Sequence, residues 1–424
     1  MAETIRLFDD FLKYLYLPGV HQVTNNSAFM YSQMTRDREN FVGKKAVLAL
    51  ETGLLPTYSR AEGGVIGPAG EIPKEQALID LAYHYVNIEF TNPLRAISAE
   101  AAGAFIPVMT ASVRSAMSSI RRMLAMEIAT SEDGLIATIS SVNAGAGTTA
   151  NPYIFTVDTN QWAWNGMKID IYAAGTSTSK LQVLTTPLTI TTRKDDDKIY
   201  ATGACGAGGA SAGAIANTDQ IYIYGNKSNQ MLGFGDVFYA PTDAATGIAN
   251  KYLDVDKWLL QEWQAQTDVP SGAARAFSMN SFQTSLDNAE VNADGRTNLI
   301  LCRAAMRRSY LAKCVADRRF NYPATLKLDG GFTALAYTGG TNEIPIVADR
   351  DIKQKTFYGI DMSTWTLHQA KQFSWIPGPD GRILHPLIYG DSPRDKVRAI
   401  LACYENLSCK HPAKNWIYGN VIES

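Results

Sequence analysis

Apolar residues keep one helical period longest between Ser98 and Thr130. There, Phe105, Met109, Val113, Ala116, Ile120 and Met123 fall on a single stripe. Ser112, Ser115, Ser119 and Arg122 lie opposite. A continuous helix over this stretch is about 45 to 50 Å long at roughly 1.5 Å per residue, and such a rod must lie along something. Ser98, Glu100 and Glu127 read as surface residues, Asp133-Gly134 as the stop, and Pro107 as a kink.

Around this rod the pattern changes repeatedly. Thr4 caps a short amphipathic helix with Leu7, Phe8, Phe11, Leu12 and Leu15 on one face, ended by Pro18-Gly19. Val20 to Met34 reads as an extended arm. Lys45 to Leu50 and Ala77 to Phe90 read as strands of a long hairpin around LPTYSRAEGGVIGPAGEIP. A lone hairpin is barely stable in water, so this one needs support from outside itself.

From Ile139 to Met231, short β-branched runs predict strands at 153–157, 167–173, 180–184, 188–192, 198–202 and 220–224. Their even spacing predicts a small barrel or sandwich, with Gly203 to Gly213 as a flexible loop. Helical patterning is read at Asn250 to Gln266, Ser278 to Val291 and Asn298 to Phe320. The last quarter is β-rich, with Val397, Ala399, Leu401 and Cys403 facing one way and a final strand at Asn415 to Val421.

With 424 residues the chain is long enough for two or three domains, and 46% hydrophobic against 19% charged residues describes a well-packed soluble protein. A net charge of -2 disfavours gripping phosphate over a broad surface. Arg303, Arg307, Arg308, Lys313, Arg318 and Arg319 nevertheless cluster, as a solvated face or a surface that meets polyanion. Five cysteines without a CxxC pair fit a reducing compartment. The N-terminus does not read as a secretion signal, and no stretch approaches the roughly 20 apolar residues of a membrane span.

Candidate chemistry is sparse. His21, His84, His368, His385 and His411 are scattered without metal-ligand spacing. Gly43-Lys44-Lys45 lacks the rest of a P-loop, and Gly203 to Gly213 lacks dinucleotide-binding spacing. Gly390-Asp391-Ser392 has no Asp-x-x-His after it, and Asp195-Asp196-Asp197 reads as a solvated turn. No catalytic, cofactor or metal site is expected. A carbohydrate-active enzyme with Trp162, Trp164, Trp258 and Trp263 stacking on sugars would need a facing acid pair, and none stands out.

Taken in order, arm, hairpin, long helix, β-rich and helical middle, and closing strands resemble a tailed-bacteriophage major capsid protein. That Hong Kong 97-like fold is shared with encapsulin shells and the herpesvirus capsid floor. FVGKKAVLALETG with EIPKEQALIDLAYHYVNIEF resembles the E-loop, and Ser98 to Thr130 the spine helix of the P-domain. RDKVRAILACYENLSCKHPAKNWIYGNVI resembles the closing strands.

The resemblance implies an α+β chain divided into an N-terminal arm (1–34), E-loop hairpin (35–92), P-domain spine helix (93–138), inserted β-rich domain (139–231), A-domain with central helices (232–345) and returning C-terminal strands (346–424). It implies self-assembly into pentamers and hexamers of an icosahedral head around double-stranded DNA, assembled in the bacterial host cytoplasm. Expected partners are further copies of the chain, a separate scaffolding protein, a portal protein, a decoration or cement protein, and DNA held non-specifically, without a membrane. Phe8, Phe11, Leu12, Lys44, Lys45, Tyr58 and Arg60 are the expected inter-subunit contacts, and Arg303, Arg307, Arg318 and Arg319 the DNA-facing ones. Lys44 and Lys45 lie at the base of the loop, so no lysine crosslink is expected. An encapsulin-like compartment is the alternative with the same fold.

Overall fold

A computed structural model describes residues 29–39, 45–65, 67–92, 108–143, 145, 147–173, 187–192, 197–203, 215–238, 251–257, 260–316, 325–328, 332–339, 342–378, 381–389 and 392–423. The chain divides into two compact units, the smaller including His84–Met123 and Lys371–Cys403, the larger Phe29–Tyr83, Leu124–Ala370 and Tyr404–Ser424.

The described chain starts with α1 (Phe29–Gln33) and β1 (Thr35–Asp37), where the sequence suggested an extended arm up to Met34. The helix forms because Phe29, Met30, Tyr31 and Met34 can all be buried at once on one short turn. β2 (Ala46–Glu51) and β3 (Lys74–Ile79) form an antiparallel ribbon, Ala46 opposite Ile79 and Glu51 opposite Lys74. The single strand read at Ala77 to Phe90 is two, because the chain breaks at Asp80-Leu81 before β4 (Ala82–Thr91). The Asp80 carbonyl accepts from Asn406 Nδ2 at 2.7 Å, which holds the break. Along β4, Ala82, His84 and Ile88 are buried while Tyr83 and Tyr85 are exposed, the period of a half-buried strand.

The long helix is described as α2 (Val108–Ala129), 22 residues. Pro107, its expected kink, and the stretch from Ser98 lie outside the described residues. Ala116 and Ile120 are buried as the stripe requires. Glu127 overturns its reading as a surface residue, at 1% exposure, and Arg122, on the face opposite the stripe, is buried too, at 8%. Every residue from Leu124 to Ala129 is buried, so the last turns have no solvent side to offer a charge. Gly134, with φ +79°, turns the chain away from the helix as its position suggested.

Six strands then close a barrel in the order β10-β5-β6-β9-β8-β7, with β10 also paired to β7. They are β5 (Leu135–Asn143), β6 (Tyr153–Val157), β7 (Lys168–Tyr172), β8 (Leu188–Thr192), β9 (Lys198–Thr202) and β10 (Gln220–Ile223). Phe155, Ile169, Ile171, Leu188, Ile199 and Ile221, none more than 0% exposed, fill it. Closure leaves no edge strand to pair with strangers. The strand expected at Lys180 to Leu184 lies outside the described residues.

After the barrel come α3 (Phe234–Phe238), β11 (Lys251–Tyr252), β12 (Val255–Asp256), β13 (Gln266–Asp268), α4 (Met279–Ala293), β14 (Leu299–Cys302) and α5 (Ala304–Ala316). The remaining strands are β15 (Thr325–Leu328), β16 (Phe332–Gly339), β17 (Asn342–Ala348), β18 (Phe357–Ile360), β19 (Trp365–Trp375), β20 (His385–Tyr389), β21 (Ser392–Cys409) and β22 (Trp416–Tyr418).

Two helix readings are corrected here. Around Trp263 the chain makes the small β11-β12 hairpin, whose Leu253 and Asp254 adopt φ +53° and +67°, and a 3₁₀ turn at Gln261–Trp263. Asn298 to Phe320 begins as a fully buried strand, β14, before α5 starts. The stretch read as helical from Ser278 to Val291 is α4, and Ser278 caps it, its hydroxyl accepting from Ser281 N.

In the larger unit a seven-stranded sheet has the order β13-β22-β18-β14-β17-β16-β15, and Phe282, Leu286 and Ala289 of α4 join Phe357, Trp416 and Tyr418 in its core. In the smaller unit Ile88, Ala116 and Val397 form a compact core with Val86, Val113 and Trp375.

Candidate inter-subunit surface

The β2-β3 ribbon carries apolar side chains that its own chain leaves in solvent. Only its foot is buried: Ala77 is 0% and Ile79 3% exposed, and Leu78 N donates to Leu253 O at 2.8 Å. Further out, Val47, Leu54, Leu55 and Val65 are 59%, 93%, 50% and 87% exposed. Large apolar side chains left exposed along one element are the material of interaction sites.

Beyond the paired strands the two legs are held by ring packing instead of a hydrogen-bond ladder. A Cβ at Gly70 would lie 2.4 Å from Pro56 Cγ, and one at Gly67 2.7 Å from the Tyr58 ring, so each glycine makes room for a ring of the opposite leg. Arg60 stacks its guanidinium 5.2 Å from the Tyr58 ring centroid and donates through Nε to Val65 O at 3.0 Å. The Ala61–Gly64 turn closes the tip, Gly64 N donating to Ala61 O at 2.9 Å. Replacing Gly70 by valine should splay the legs. We expect faster proteolysis between residues 52 and 73, followed by mass spectrometry, with the melting temperature of the body unchanged.

The expected contact residues fall as follows. Tyr58 and Arg60 come together on the outer ribbon, whereas Lys45 forms an exposed ion pair with Asp80 at 2.9 Å. Phe8, Phe11, Leu12 and Lys44 lie outside the described residues. Of the arginines, Arg303 stands just before α5 and Arg307 is on it, both half-buried, while Arg318 and Arg319 lie outside the described residues. The sequence reading missed Leu54, Leu55 and Val65, although three apolar residues within a Gly/Pro-rich loop were the available signal.

Buried polar groups elsewhere serve the fold. Burial pushes the Asp236 carboxyl up to about 7, even though its Oδ2 accepts from Gly233 N and Glu132 N at 2.9 and 2.8 Å. Lys257, 1% exposed, is pushed down to about 8 by burial against the pull of Asp236, and its Nζ donates to Asp236 O. Trp162 and Trp263 are core residues whose Nε1 groups donate to Asp351 O and Tyr252 O, so neither is a sugar-stacking platform. Trp258 lies outside the described residues. Among the described residues no group of three or more His, Cys, Asp or Glu could hold a metal, and no described helix is long and apolar enough to cross a membrane.

No protein-family model matches the sequence, and no curated protein matches it. Solved structures do. A chain of the cyanophage A-1(L) capsid asymmetric unit aligns with a TM-score of 0.55 at 11% identity, over 97% of this chain and 98% of that one. The capsid of a native GTA particle gives 0.48 at 10% identity over 97% and 96%, and the SrpI encapsulin complex from Synechococcus elongatus PCC 7942 gives 0.45 at 8% over 99% and 96%. The first of these matches shows that the chain shares the α+β fold of that capsid protein along almost its whole length. It is the Hong Kong 97-like fold of tailed-bacteriophage major capsid proteins, as the resemblance implied.

Proposed function

We propose that this protein is the major subunit of a tailed-phage head, assembling as pentamers and hexamers into an icosahedral shell around double-stranded DNA. The carrying observation is the ribbon: a capsid-fold chain projects apolar residues that it does not bury itself, and the occupant that fits is a second copy of the same chain. Many weak contacts then sum, since each subunit is held by several neighbours at once.

Within this reading, Phe8, Phe11, Leu12, Lys44, Lys45, Tyr58 and Arg60 contact neighbouring subunits, and Arg303, Arg307, Arg318 and Arg319 face DNA. Scaffolding, portal and decoration proteins complete the partner set, and the mature protein resides in the virion capsid. The six domain segments from 1–34 to 346–424 belong to the same proposal.

Electron microscopy of the chain expressed with its scaffold tests it. Closed shells are expected, with nuclease-protected DNA in particles purified from infected cells. A monodisperse monomer at high concentration would overturn the shell, and closed particles loaded with protein cargo and free of DNA would favour the encapsulin-like alternative.

A further inference from the structure

Two carboxyl side chains are buried within electrostatic reach of each other in the larger unit. Glu127, in the last turns of α2, is 1% exposed, and Glu405 on β21 is 0%. Glu405 Oε2 accepts from Tyr31 OH at 3.2 Å and from Gln369 Nε2 at 2.8 Å. Glu127 Oε2 accepts from Met231 N at 3.2 Å. Donors therefore favour charge on Glu405, and a second charge beside it in the same dry space is costly.

The neighbours of this pair hold the first described segment of the chain. Tyr31 belongs to α1, and Arg36 lies 5.0 Å from its ring centroid. β1 runs parallel to β19, with Asp37 opposite His368. Arg38 Nε donates to Gln369 Oε1 at 3.2 Å, and His368 Nδ1 lies 3.5 Å from Asp37 Oδ2. Five residues of helix and three of strand are thus tied down through Glu405 and the residues beside it, and Glu127 is joined to the same place through Met231, whose neighbour Leu232 donates from its N to Asn406 Oδ1 at 2.8 Å.

We propose that Glu127 and Glu405 form a proton-held clasp, and that a single proton at this pair sets how tightly Phe29–Asp37 is held. With the proton present one acid is neutral and the segment stays seated. Without it the two charges repel, and the segment that Tyr31 ties to Glu405 loosens to admit water.

The direction follows from burial, which raises Glu127 from 4.5 to about 8, reinforced by the charge of Glu405 and opposed by the bond from Met231 N. The seated state therefore binds more protons than the open state between about pH 4.5 and 8, and the clasp loosens as pH rises through that window. His368 acts oppositely: burial lowers it against the pull of Asp37, with Lys410 lowering it further, so its contribution is lost only on acidification below its ordinary value of 6.5. Above pH 6.5 Asp236, at about 7, acts in the same direction as Glu127, and Lys257, at about 8, in the opposite one, so the part of the slope that belongs to Glu127 is the part lost on replacing it. The consequence for shell assembly rests on the capsid reading, whereas the clasp is a property of the single chain.

Hydrogen exchange of the full chain, corrected for intrinsic rates, reads the clasp. Between pH 6.5 and 8, protection of Phe29–Asp37 should fall roughly tenfold in the wild type, at up to about tenfold per unit, and stay level in Glu127→Gln, which keeps the shape and removes the ionisable proton. A level wild type, or an equal fall in the variant, would overturn the clasp. Should the variant not fold, infrared titration of the wild type decides: Asp236, at about 7, supplies one protonated-carboxyl component, and a second that persists to about 8 and is lost by pH 9 is expected from Glu127, whereas loss of all such absorption together with the Asp236 component overturns the proposal. None of these outcomes depends on whether shells form.

Discussion

Gly359→Ala should prevent the seven-stranded sheet from forming as it stands. Gly359 on β18 lies opposite Trp416 on β22, and the indole crosses directly over the glycine. An added Cβ would sit 1.9 Å from Trp416 Cε2 and 2.1 Å from Nε1, far inside contact distance. The indole cannot step aside, because it is 0% exposed, donates through Nε1 to Thr297 Oγ1 at 2.9 Å, and packs edge-on to Phe282 at 5.2 Å. Trp416→Ala removes the obstruction but leaves a cavity worth about 3 to 5 kcal/mol. Gly359→Ala alone should cost at least as much. The double variant should be markedly less destabilised than the sum of the two, since contacting residues couple. Denaturant midpoints of the four chains measure this, and additive losses would show that the indole does not confine position 359.

Leu54→Asp combined with Val65→Asp should abolish assembly while leaving the folded chain intact. Both side chains are almost wholly in solvent, so the single chain gains nothing from them, and surface changes of this kind usually alter stability by less than about 0.5 kcal/mol. In an interface each would bury an unpaired carboxylate, an expensive step repeated at every neighbour of a shell. Sedimentation velocity should find subunits or small oligomers in place of closed particles, with an unchanged melting temperature. Normal shells from the doubly substituted chain would remove the ribbon from the assembly contacts.

Much of the architecture was legible before any coordinates. The stripe around Ala116 and Ile120, the glycine stop at Gly134, the alternation from Val397 to Leu401, which ends where Ala402 is buried too, and the evenly spaced strands that close into a barrel were legible in local pattern. The errors have a common origin. Leu299–Cys302 is apolar over a length that suits a buried strand or a helix turn equally, and neighbours on both sides decided for the strand. Lys251–Asp256 turns on two left-handed residues that no hydrophobic period reveals.

Local pattern reports which face of an element is apolar, because that depends on residues three, four or two apart. It therefore carried the helix, the ribbon and the places of many strands along the chain, and with them the resemblance to a capsid subunit. Burial of a charge depends on what distant segments bring to it. Glu127 reads as an ordinary polar residue on a helix until Met231 and Glu405, 104 and 278 positions away, close over it. The same holds for Trp416 over Gly359 and for Pro56 against Gly70: pairs with no shared period, set only when the chain folds back on itself.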